Sequence, residues 1–554
     1  MNNSTAKKIV IIGGVAGGAT AAARIRRLDE KAEITVLEKG PYVSFANCGL
    51  PYFISRDIQR RSALLLQTPE GFFSRYRVNV KTNSEAVEIQ RDKKSIVVRT
   101  QNGEENIPYD KLILAQGGSP IVPPLPGITL DHVFKLWTIP DMDRIHKFID
   151  EKKPAKAVVA GGGFIGLEMA EALHARGIAV TVVELAPHVM ILLDPEFSAM
   201  IKNGMEEKGI IVKTNVGLSA IGEKSIALSD GAKIETDMVL LSIGVRPELT
   251  LAKSAGLEIG ASGGLVVDEM MRTSDPDIYG AGDMVEIINK VHGKKVRIPL
   301  AGPANRQGRI AGTNALGGKM VYRGALGTSV VKLFDRTAAS TGLSEKAARE
   351  AGFDTGISYV FKDNHVTYFP GGKPLALKIV YDKKSGRLLG GQAYGEAGVE
   401  KRIDVLATAL HGKMTLEDLS ELDLAYAPPY NSANDPVNMA SFIGLNHISG
   451  YSPLRTPEEA LKELKTGNGV ILDVRTVGEQ SKAPLAGVLH IPADEIRDRL
   501  DEIPKDKMIY LLSKDGFLGH TSLQILVSEG WKNIFNIAGG YAAAKWFAGW
   551  NFNA

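Results

Sequence analysis

Two stretches of the chain repeat one order of apolar and polar positions. In each, a short apolar strand runs into a glycine-rich turn, a helix rich in alanine or leucine follows, and a second apolar strand ends on a glutamate. The first stretch covers residues 8–38 and the second covers residues 156–184. Short apolar strands that alternate with helices are typical of parallel sheets. The repeat therefore predicts two βαβ units.

The glycine turns indicate what these units bind. A glycine turn lets backbone N–H groups and a helix N-terminus approach a pyrophosphate, and a carboxylate about twenty residues later accepts hydrogen bonds from ribose hydroxyls. The second turn has the complete G-x-G-x-x-G pattern, whereas the first has Val15 at the middle position. A merely tight turn would explain the first copy alone, but two copies that both end on a glutamate favour two nucleotide sites. The candidate cofactor-binding residues of both stretches are Gly13, Gly14, Gly17, Gly18, Glu38, Gly161, Gly163, Phe164, Gly166 and Glu184.

A third segment adds to the motifs of the two repeats. Residues 278–283 read as a strand that ends in Gly-Ala-Gly-Asp, which places the Asp283 carboxylate beside a small-residue turn. Together with the apolar segment at 109–117, this set resembles the FAD- and pyridine-nucleotide-dependent disulfide reductase superfamily over about residues 7–445. The resemblance implies an FAD half, an inserted NAD(P)H domain, a return to the FAD half and a dimerisation domain. It adds Ala115, Gly117 and Asp283 to the residues expected to contact FAD.

The C-terminal region has its own pattern of strand and helix signals. After Asn446 the segments at 470–475, 491–492 and 538–546 resemble a rhodanese-like domain. The implied fold class is α/β, with two Rossmann-like nucleotide-binding domains, an α+β dimerisation domain and a rhodanese-like α/β domain. The expected boundaries are 1–150 and 262–325 for FAD, 151–261 for NADH, 326–446 for dimerisation and 455–554 for the rhodanese-like domain.

The rhodanese-like loop lacks the two residues expected for sulfur transfer in the family. The family carries a persulfide on a cysteine in a cradle of backbone N–H groups, but this chain has Ser513 at that place and Leu518 where an arginine is expected. Serine cannot carry a persulfide, so we expect no sulfurtransferase activity. The remaining uses would be to dock a persulfide donor or to shield the mouth of the reductase.

Charge suggests which nicotinamide binds. Glu184 would accept a hydrogen bond from a free 2′-hydroxyl and would repel a 2′-phosphate, and the next four residues, 185–188, include no arginine. NADH is therefore expected rather than NADPH. Phe164 matches an aromatic residue that covers the flavin in the family, although a core phenylalanine beneath a turn explains it almost as well.

Cys48 is the only cysteine in the chain. No intrachain disulfide, CxxC pair or cysteine-rich metal site can form, and no metal is expected. Gly49 and Pro51 predict that a helix begins here, and the positive pole of a helix would stabilise a thiolate. An inert, buried thiol is the alternative.

The cysteine has no partner at the spacing of glutathione-reductase-type enzymes, where this chain has Phe53. The segment instead resembles the single-cysteine branch: coenzyme A disulfide reductases, NADH-dependent persulfide reductases, NADH oxidases and NADH peroxidases. That branch cycles through a mixed disulfide with coenzyme A or through a sulfenic acid. Peroxide chemistry in the branch uses a histidine in the first glycine loop, where this chain has Ala16.

Further positions resemble the coenzyme A reductases. Tyr368 and Tyr426 match tyrosines sent from the partner subunit toward the cysteine, where a phenol can protonate a leaving thiolate. Positions that contact coenzyme A in the family are Thr20, Arg27, Ser44 and Asn47. A solvated basic face is the alternative for the neighbouring Arg24 and Arg26.

Some positions depart from the reductases. They often have histidine and lysine where this chain has Asn305 and Asn434, and a lysine in the region of Arg75 to Arg77. The loss of a cation weakens the case for tight binding of the nucleotide phosphates. It leaves the cysteine chemistry untouched.

The composition and the net charge limit the classes of protein to which this chain can belong. The chain has 554 residues, of which 44 % are hydrophobic and 23 % charged, and its formal charge is +3. These values exclude a disordered chain and do not indicate nucleic-acid binding. The sequence has no uninterrupted run of about 18 apolar residues, so no membrane binding is expected. No secretory leader is recognised, so cytoplasm is the expected location.

The sequence therefore predicts a homodimeric FAD enzyme that uses NADH to reduce sulfur–sulfur bonds of coenzyme A disulfide, coenzyme A persulfide or polysulfide. An NADH oxidase or peroxidase that cycles through a Cys48 sulfenic acid is the alternative enzyme. A sulfur-binding scaffold without catalysis is a third reading.

Overall fold

The computed structural model describes residues 6–550, and its contacts divide the chain into two compact units. One unit contains the chain up to Pro187 together with Gly209–Gly327, and the other contains His188–Lys208 and the chain from Thr328 onward. Strands and helices are numbered below in chain order.

The first unit contains a five-stranded parallel sheet in the order β18-β7-β1-β2-β3. Four of the five residues of β1 are buried, as expected for a strand covered on both faces. The strands are β1 (Lys8–Ile12), β2 (Glu33–Leu37), β3 (Val78–Lys81), β7 (Lys111–Leu114) and β18 (Ile278–Gly280).

A second parallel sheet of the same unit has the order β12-β11-β10-β16-β9. Its central strand β10 has the same burial pattern as β1, one exposed residue followed by four buried ones. The strands are β9 (Val133–Lys135), β10 (Lys156–Ala160), β11 (Ala179–Val183), β12 (Ile211–Lys213) and β16 (Met238–Leu241). The predicted pair of βαβ units is therefore present.

Smaller antiparallel sheets and helices complete this unit. The strands are β4 (Glu85–Gln90), β5 (Ser95–Thr100), β6 (Gly103–Pro108), β8 (Gly118–Pro120), β13 (Leu218–Ile221), β14 (Ser225–Leu228), β15 (Lys233–Glu235), β17 (Val245–Pro247), β19 (Ile287–Ile288) and β20 (Lys295–Val296). The α-helices are α1 (Ala16–Leu28), α2 (Leu50–Ile54), α3 (Pro69–Tyr76), α4 (Ile139–Lys152), α5 (Phe164–Ala175), α7 (Thr250–Ser254) and α8 (Ala301–Ala315). Short 3₁₀ turns lie at Asn47–Gly49 and Arg61–Leu64.

The second unit begins with an antiparallel sheet in the order β21-β22-β25-β24-β23, with helices packed against it. The strands are β21 (Ser329–Leu333), β22 (Arg336–Gly342), β23 (Thr355–Asp363), β24 (Pro374–Asp382) and β25 (Leu388–Gly395). The helices are α6 (Pro195–Glu207), α9 (Glu345–Glu350), α10 (Val399–Gly412), α11 (Leu416–Ser420) and α12 (Pro436–Ile448).

The same unit ends with a parallel sheet in the order β26-β30-β29-β27-β28. The strands are β26 (Leu454–Arg455), β27 (Gly469–Asp473), β28 (Leu489–His490), β29 (Met508–Leu512) and β30 (Ile534–Ile537). The helices are α13 (Pro457–Leu464), α14 (Val477–Lys482), α15 (Phe517–Ser528) and α16 (Gly540–Ala544), with 3₁₀ turns at Ala493–Asp498 and Leu500–Glu502. Together the sheets confirm the predicted α/β fold class.

A buried charge cluster holds the segment around α6 in the second unit. The Lys378 ammonium donates to carboxylates of Asp194, Glu196 and Glu345 at 2.7 to 2.8 Å. Burial alone would lower the pKa of Lys378, but Asp194 and Glu196 outweigh it and raise that pKa well above its usual value. A buried ammonium of this kind depends on its partners, because an unpaired buried charge is strongly destabilising.

No helix within residues 6–550 is both long enough and apolar enough to cross a bilayer. Within the same residues, no group of three or more His, Cys, Asp or Glu side chains has the arrangement of a metal site.

Candidate active site

The first glycine turn brings strand, helix and glutamate into close contact. Gly13 has a φ of +97°, and a side chain on Gly18 would lie 1.8 Å from the Gly13 carbonyl oxygen, so no larger residue fits there. The Glu38 carboxylate at the end of β2 accepts hydrogen bonds from the backbone N–H groups of Gly14 and Gly40, both at 2.9 Å. Burial raises the pKa of Glu38, and the two N–H groups oppose that shift.

The second turn repeats this geometry. Gly161 has a φ of +108°, and a side chain on Gly166 would lie 2.0 Å from the Gly161 carbonyl oxygen. Glu184 accepts hydrogen bonds from the N–H groups of Gly162 at 2.6 Å and Ala186 at 2.7 Å. Both turns therefore hold a carboxylate at the edge of a helix N-terminus, as a ribose site requires.

The two turns differ at their middle position. A side chain on Gly163 would meet nothing within 4 Å, so the space in front of α5 is open to a bound group. Phe164 is the first residue of α5 and is half-buried. In the first turn Val15 precedes α1 and makes no side-chain capping hydrogen bond.

Three predicted FAD segments meet beside Gly17. A side chain on Gly17 would lie 3.5 Å from the Ala281 Cβ and 3.7 Å from the Ala115 Cβ, so small residues on α1, just after β18 and just after β7 meet at one place. Gly117, three residues after β7, adopts a φ of +67°, with no atom within 4 Å of the position of its missing side chain. The tertiary structure thus brings the three motifs together.

Within residues 6–550, two polar groups near these small residues have no hydrogen-bond partner. The Gln116 side-chain oxygen is buried without a hydrogen bond. Burial, with no compensating charge or hydrogen bond, raises the pKa of the Asp283 carboxyl. Buried polar groups are normally satisfied, so these two side chains fit a cofactor that supplies hydroxyls and ring atoms.

Cys48 lies in the 3₁₀ turn that directly precedes α2, and its side chain is exposed. Pro51 occupies the first turn of α2, so the predicted helix start is present. The alternative of an inert, buried thiol does not hold, because the side chain is accessible.

The predicted stabilisation of a thiolate is wrong for the protein chain by itself. Desolvation and the carboxylates of Glu168 and Asp283 raise the pKa of Cys48, and its own backbone N–H only partly offsets them. The positive pole of α2 does not outweigh these effects on the pKa of Cys48, since the helix has only five residues.

Glu168 on α5 was not anticipated from the sequence. Tyr52 on α2 donates to its carboxylate at 3.3 Å, and this contact, with burial, raises the pKa of Tyr52 to about 12. Burial also raises the pKa of Glu168 itself. The glutamate two residues after the second glycine turn was the available signal, but only the packing of α2 on α5 relates it to Cys48.

The predicted coenzyme A positions lie on two neighbouring segments. Thr20 on α1 donates to the Asn305 side-chain oxygen at 2.9 Å. The N–H of Ser44, which has a φ of +47°, donates to the Gly14 carbonyl oxygen, so the segment leading to Cys48 runs beside the first glycine turn. The side chains of Asn47 and Arg27 are exposed.

Arg26 is neither a ligand residue nor part of a solvated face. Its side chain is 5 % exposed, and its guanidinium donates to the carbonyl oxygens of Tyr76, Asp29, Ala32 and Arg77. It fastens the end of α1 to the segment before β3. Arg24 is half-buried, and its Nε donates to the Thr313 hydroxyl on α8.

The two predicted catalytic tyrosines lie together in the second unit. Their hydroxyl oxygens are 2.9 Å apart, and Tyr368 is 72 % exposed while Tyr426 is 45 % exposed. The hydrogen bond with Tyr426 raises the pKa of Tyr368. The structure therefore presents a coupled pair of phenols at the surface of one chain.

Two buried residues brace the tyrosine loops, and the sequence offered no signal for them. Asn431 donates to the carbonyl oxygen of Ala425 and accepts a backbone hydrogen bond from Val366. Arg402 donates to the Asn431 side-chain oxygen at 2.9 Å and to the Asn364 carbonyl oxygen at 3.0 Å. They connect the loops that carry Tyr426 and Tyr368.

The rhodanese-like loop keeps part of its cradle. Ser513 is fully buried at the end of β29 and accepts a hydrogen bond from the Gly516 N–H at 2.9 Å. Leu518 packs against the apolar core of the domain.

Family comparisons cover most of the chain. Residues 7–308 match the family described as pyridine nucleotide-disulphide oxidoreductase, and residues 328–436 match its dimerisation domain. Residues 456–545 match the rhodanese-like domain.

Three similar proteins span almost their full length. A coenzyme A disulfide reductase of Staphylococcus haemolyticus is 34 % identical over 79 % of this chain and 99 % of its own. The crystal structure of reduced CoADR-RHD from Bacillus anthracis superimposes with a TM-score of 0.95 at 42 % identity, covering 98 % of this chain and 99 % of its own. A NAD-dependent persulfide reductase from A. fulgidus gives a TM-score of 0.91 at 38 % identity, covering 98 % of this chain and 100 % of its own.

Proposed function

Because the chain belongs to the pyridine nucleotide-disulphide oxidoreductase family, we propose that it uses NADH to reduce the sulfur–sulfur bond of coenzyme A disulfide, coenzyme A persulfide or polysulfide. The observation that carries the proposal is the position of Cys48, an exposed sole thiol in the turn before α2, on the segment that the hydrogen bond from Ser44 to Gly14 holds beside the first glycine turn. The names of the similar reductases agree with this chemistry.

Cys48 carries the sulfur chemistry. Its thiolate attacks one sulfur of the substrate, the substrate's sulfur–sulfur bond breaks, and one half leaves as a thiolate that takes up a proton. Cys48 then holds the other half as a mixed disulfide. Two electrons from NADH and one proton reopen this bond, which releases the second thiol and regenerates the Cys48 thiolate.

FAD is the group that the first unit fits. Glu38 would hold its ribose, the N–H groups at 13–18 would hold its pyrophosphate, and Asp283 would hold its ribityl hydroxyls. Bound FAD supplies the transfer of an electron pair from the nicotinamide to the disulfide at Cys48. The open space in front of Gly163, with Glu184 beside it, would hold NADH.

The substrate contacts follow from the same arrangement. Thr20, Ser44, Asn47 and Arg27 would bind coenzyme A along α1 and the segment before Cys48. Tyr426 with Tyr368 would protonate the departing thiolate from the partner subunit, so the active enzyme would be a homodimer.

The rhodanese-like domain would dock a persulfide donor, since Ser513 cannot carry the sulfur itself.

Intact mass tests the proposal directly. The purified protein should lose one coenzyme A mass per chain when a thiol reductant is added, and Cys48→Ser should show no such change. Addition of oxygen atoms without coenzyme A would instead indicate a sulfenic acid and overturn the proposal in favour of an NADH oxidase or peroxidase.

The tyrosine pair gives a second prediction. Tyr426→Phe should lower kcat for coenzyme A disulfide by about 100-fold, because general acid catalysis of this kind contributes about 10² or more. Tyr368→Phe should have a smaller effect, since it orients the Tyr426 hydroxyl through their hydrogen bond. Steady-state kinetics on the intact protein measure both.

The matched control is Tyr430→Phe, an exposed tyrosine on the same loop as Tyr426. It should leave kcat unchanged. Equal kcat in the Tyr426 and Tyr430 variants would show that the phenol pair does no proton transfer. Reduction of the protein by NADH alone should be normal in all three variants, since the pair acts on the leaving thiolate.

The rhodanese-like domain gives a third prediction. The intact protein should form no thiocyanate from thiosulfate and cyanide, because Ser513 offers no sulfur and Leu518 offers no cation. Ser513→Ala should also keep NADH-dependent turnover within about twofold, since it removes no group assigned to the reductase chemistry. Thiocyanate formation that disappears in this variant would contradict the assignment.

A further inference from the structure

Helix α6 is attached to the antiparallel sheet of the second unit through carboxyl groups at its start. Asp194 directly precedes the helix and Glu196 lies in its first turn, and the two residues are 3 % and 1 % exposed. Both carboxyl groups reach Lys378, a fully buried residue of β24. Polar groups this far from water must satisfy one another, so the attachment of α6 depends on how charge and protons are shared among them.

The Asp194 carboxylate is surrounded by donors. It accepts hydrogen bonds from the Gln392 side-chain N–H at 2.8 Å and from the Glu345 backbone N–H at 3.1 Å, in addition to the ion pair with Lys378. The Asp194 N–H donates in return to the Gln392 side-chain oxygen at 2.9 Å. Asp194 therefore has the partners that a buried carboxylate requires.

The cluster contains more carboxyl groups than cations. Glu345, at the start of α9, is the third carboxyl group and lies 2.7 Å from the Lys378 ammonium. Its other oxygen lies 2.6 Å from the Arg349 guanidinium. Among residues 6–550, Lys378 and Arg349 are the two cations paired with the three carboxyl groups. With all three ionised, the cluster would hold one negative charge in excess.

Glu196 is the carboxyl group at which a proton best removes this excess. Its side chain is the most buried of the three, and its Oε1 accepts hydrogen bonds from the Tyr359 hydroxyl at 2.6 Å and from Lys378 at 2.7 Å. Burial raises the pKa of Glu196, Lys378 opposes that shift only in part, and the Asp194 charge adds to it. Burial also raises the pKa of Tyr359 well above its usual value, so the phenol keeps its own proton.

We propose that Glu196 holds a proton in the folded protein at neutral pH, and that the attachment of α6 to the sheet weakens as the pH rises. With this proton in place, two cations balance two carboxylates. Ionisation of Glu196 leaves a buried negative charge in excess, which is strongly destabilising. This inference concerns the second unit and does not depend on the sulfur chemistry. The titratable and charged groups of the cluster around Glu196 are Lys378, Asp194, Tyr359, Glu345 and Arg349.

The raised pKa sets the direction of the pH dependence. A glutamate that local opening exposes to water has its ordinary pKa of about 4.3, whereas the pKa of Glu196 in the folded protein is higher. Between these two values the folded state binds more protons than the open state, so folding becomes less favourable as the pH rises. Local opening of α6 should therefore become easier by up to about tenfold per pH unit in this window.

Hydrogen exchange of the α6 amides in the intact protein tests the attachment. After correction for the intrinsic effect of pH, exchange in the unaltered protein should accelerate relative to Glu196→Gln, by up to about tenfold per pH unit above the ordinary pKa of glutamate. Glu206→Gln, a half-exposed position on the same helix, is the matched control and should behave like the unaltered protein. A ratio between the unaltered protein and Glu196→Gln that is independent of pH would overturn the proposal.

Infrared spectroscopy detects the proton itself. At neutral pH, the spectrum of the unaltered protein minus that of Glu196→Gln should contain the band of one protonated carboxylic acid. The same subtraction with Glu206→Gln should contain none. Absence of the band from the first difference spectrum would show that Glu196 is ionised. Because glutamine reproduces the neutral side chain, failure of Glu196→Gln to fold would also contradict the proposal.

Discussion

Replacing Cys48 with alanine or serine should lower turnover of every sulfur substrate by about 10³-fold or more, because loss of the nucleophile removes the covalent route altogether. The chain has no second cysteine to take its place. Serine preserves the size of the side chain but is a far weaker nucleophile toward sulfur. NADH consumption with coenzyme A disulfide measures the effect.

Two observations should remain unchanged in these variants. The purified protein should keep its yellow flavin, and NADH should still bleach it in the absence of oxygen, because the nucleotide-binding residues are intact. Ser55→Ala, at the other end of α2, is the control and should retain turnover. Undiminished sulfur-substrate turnover in Cys48→Ala would end the mixed-disulfide mechanism.

Substitutions at two adjacent positions should shift the nicotinamide preference from NADH toward NADPH. The double variant Glu184→Ala with Leu185→Arg should raise the ratio of kcat/KM for NADPH to that for NADH by about 100-fold. Removal of the carboxylate ends its repulsion of the 2′-phosphate, and the new guanidinium adds a charge-assisted hydrogen bond, each contributing about tenfold. Leu185 is 73 % exposed, so arginine there disturbs no core.

Leu185→Gln alone is the control for that experiment and should leave the preference for NADH in place. The rationale depends on the fixed position of the Glu184 carboxylate, which two backbone N–H groups hold at the edge of β11. A wild-type protein that already prefers NADPH would contradict the role assigned to Glu184.

Local chemistry made the nucleotide-binding units predictable. A glycine turn between an apolar strand and a helix depends on neighbouring residues and on the φ values that glycine permits, so the pattern is readable without knowledge of distant contacts. The start of α2 after Cys48 was predictable for the same reason, through Pro51. The assignments of individual residues to FAD, NADH and coenzyme A stay predictions.

The sequence by itself determined the order of the domains, the pairing of each glycine turn with a glutamate, and the presence of one redox-capable thiol. Only the tertiary structure decided that Arg26 is buried against four carbonyl groups, and that burial and nearby carboxylates raise the pKa of Cys48. The reason is physical: turn conformation is set within a few residues, whereas desolvation and charge repulsion depend on residues far apart in the chain that folding brings to the same place.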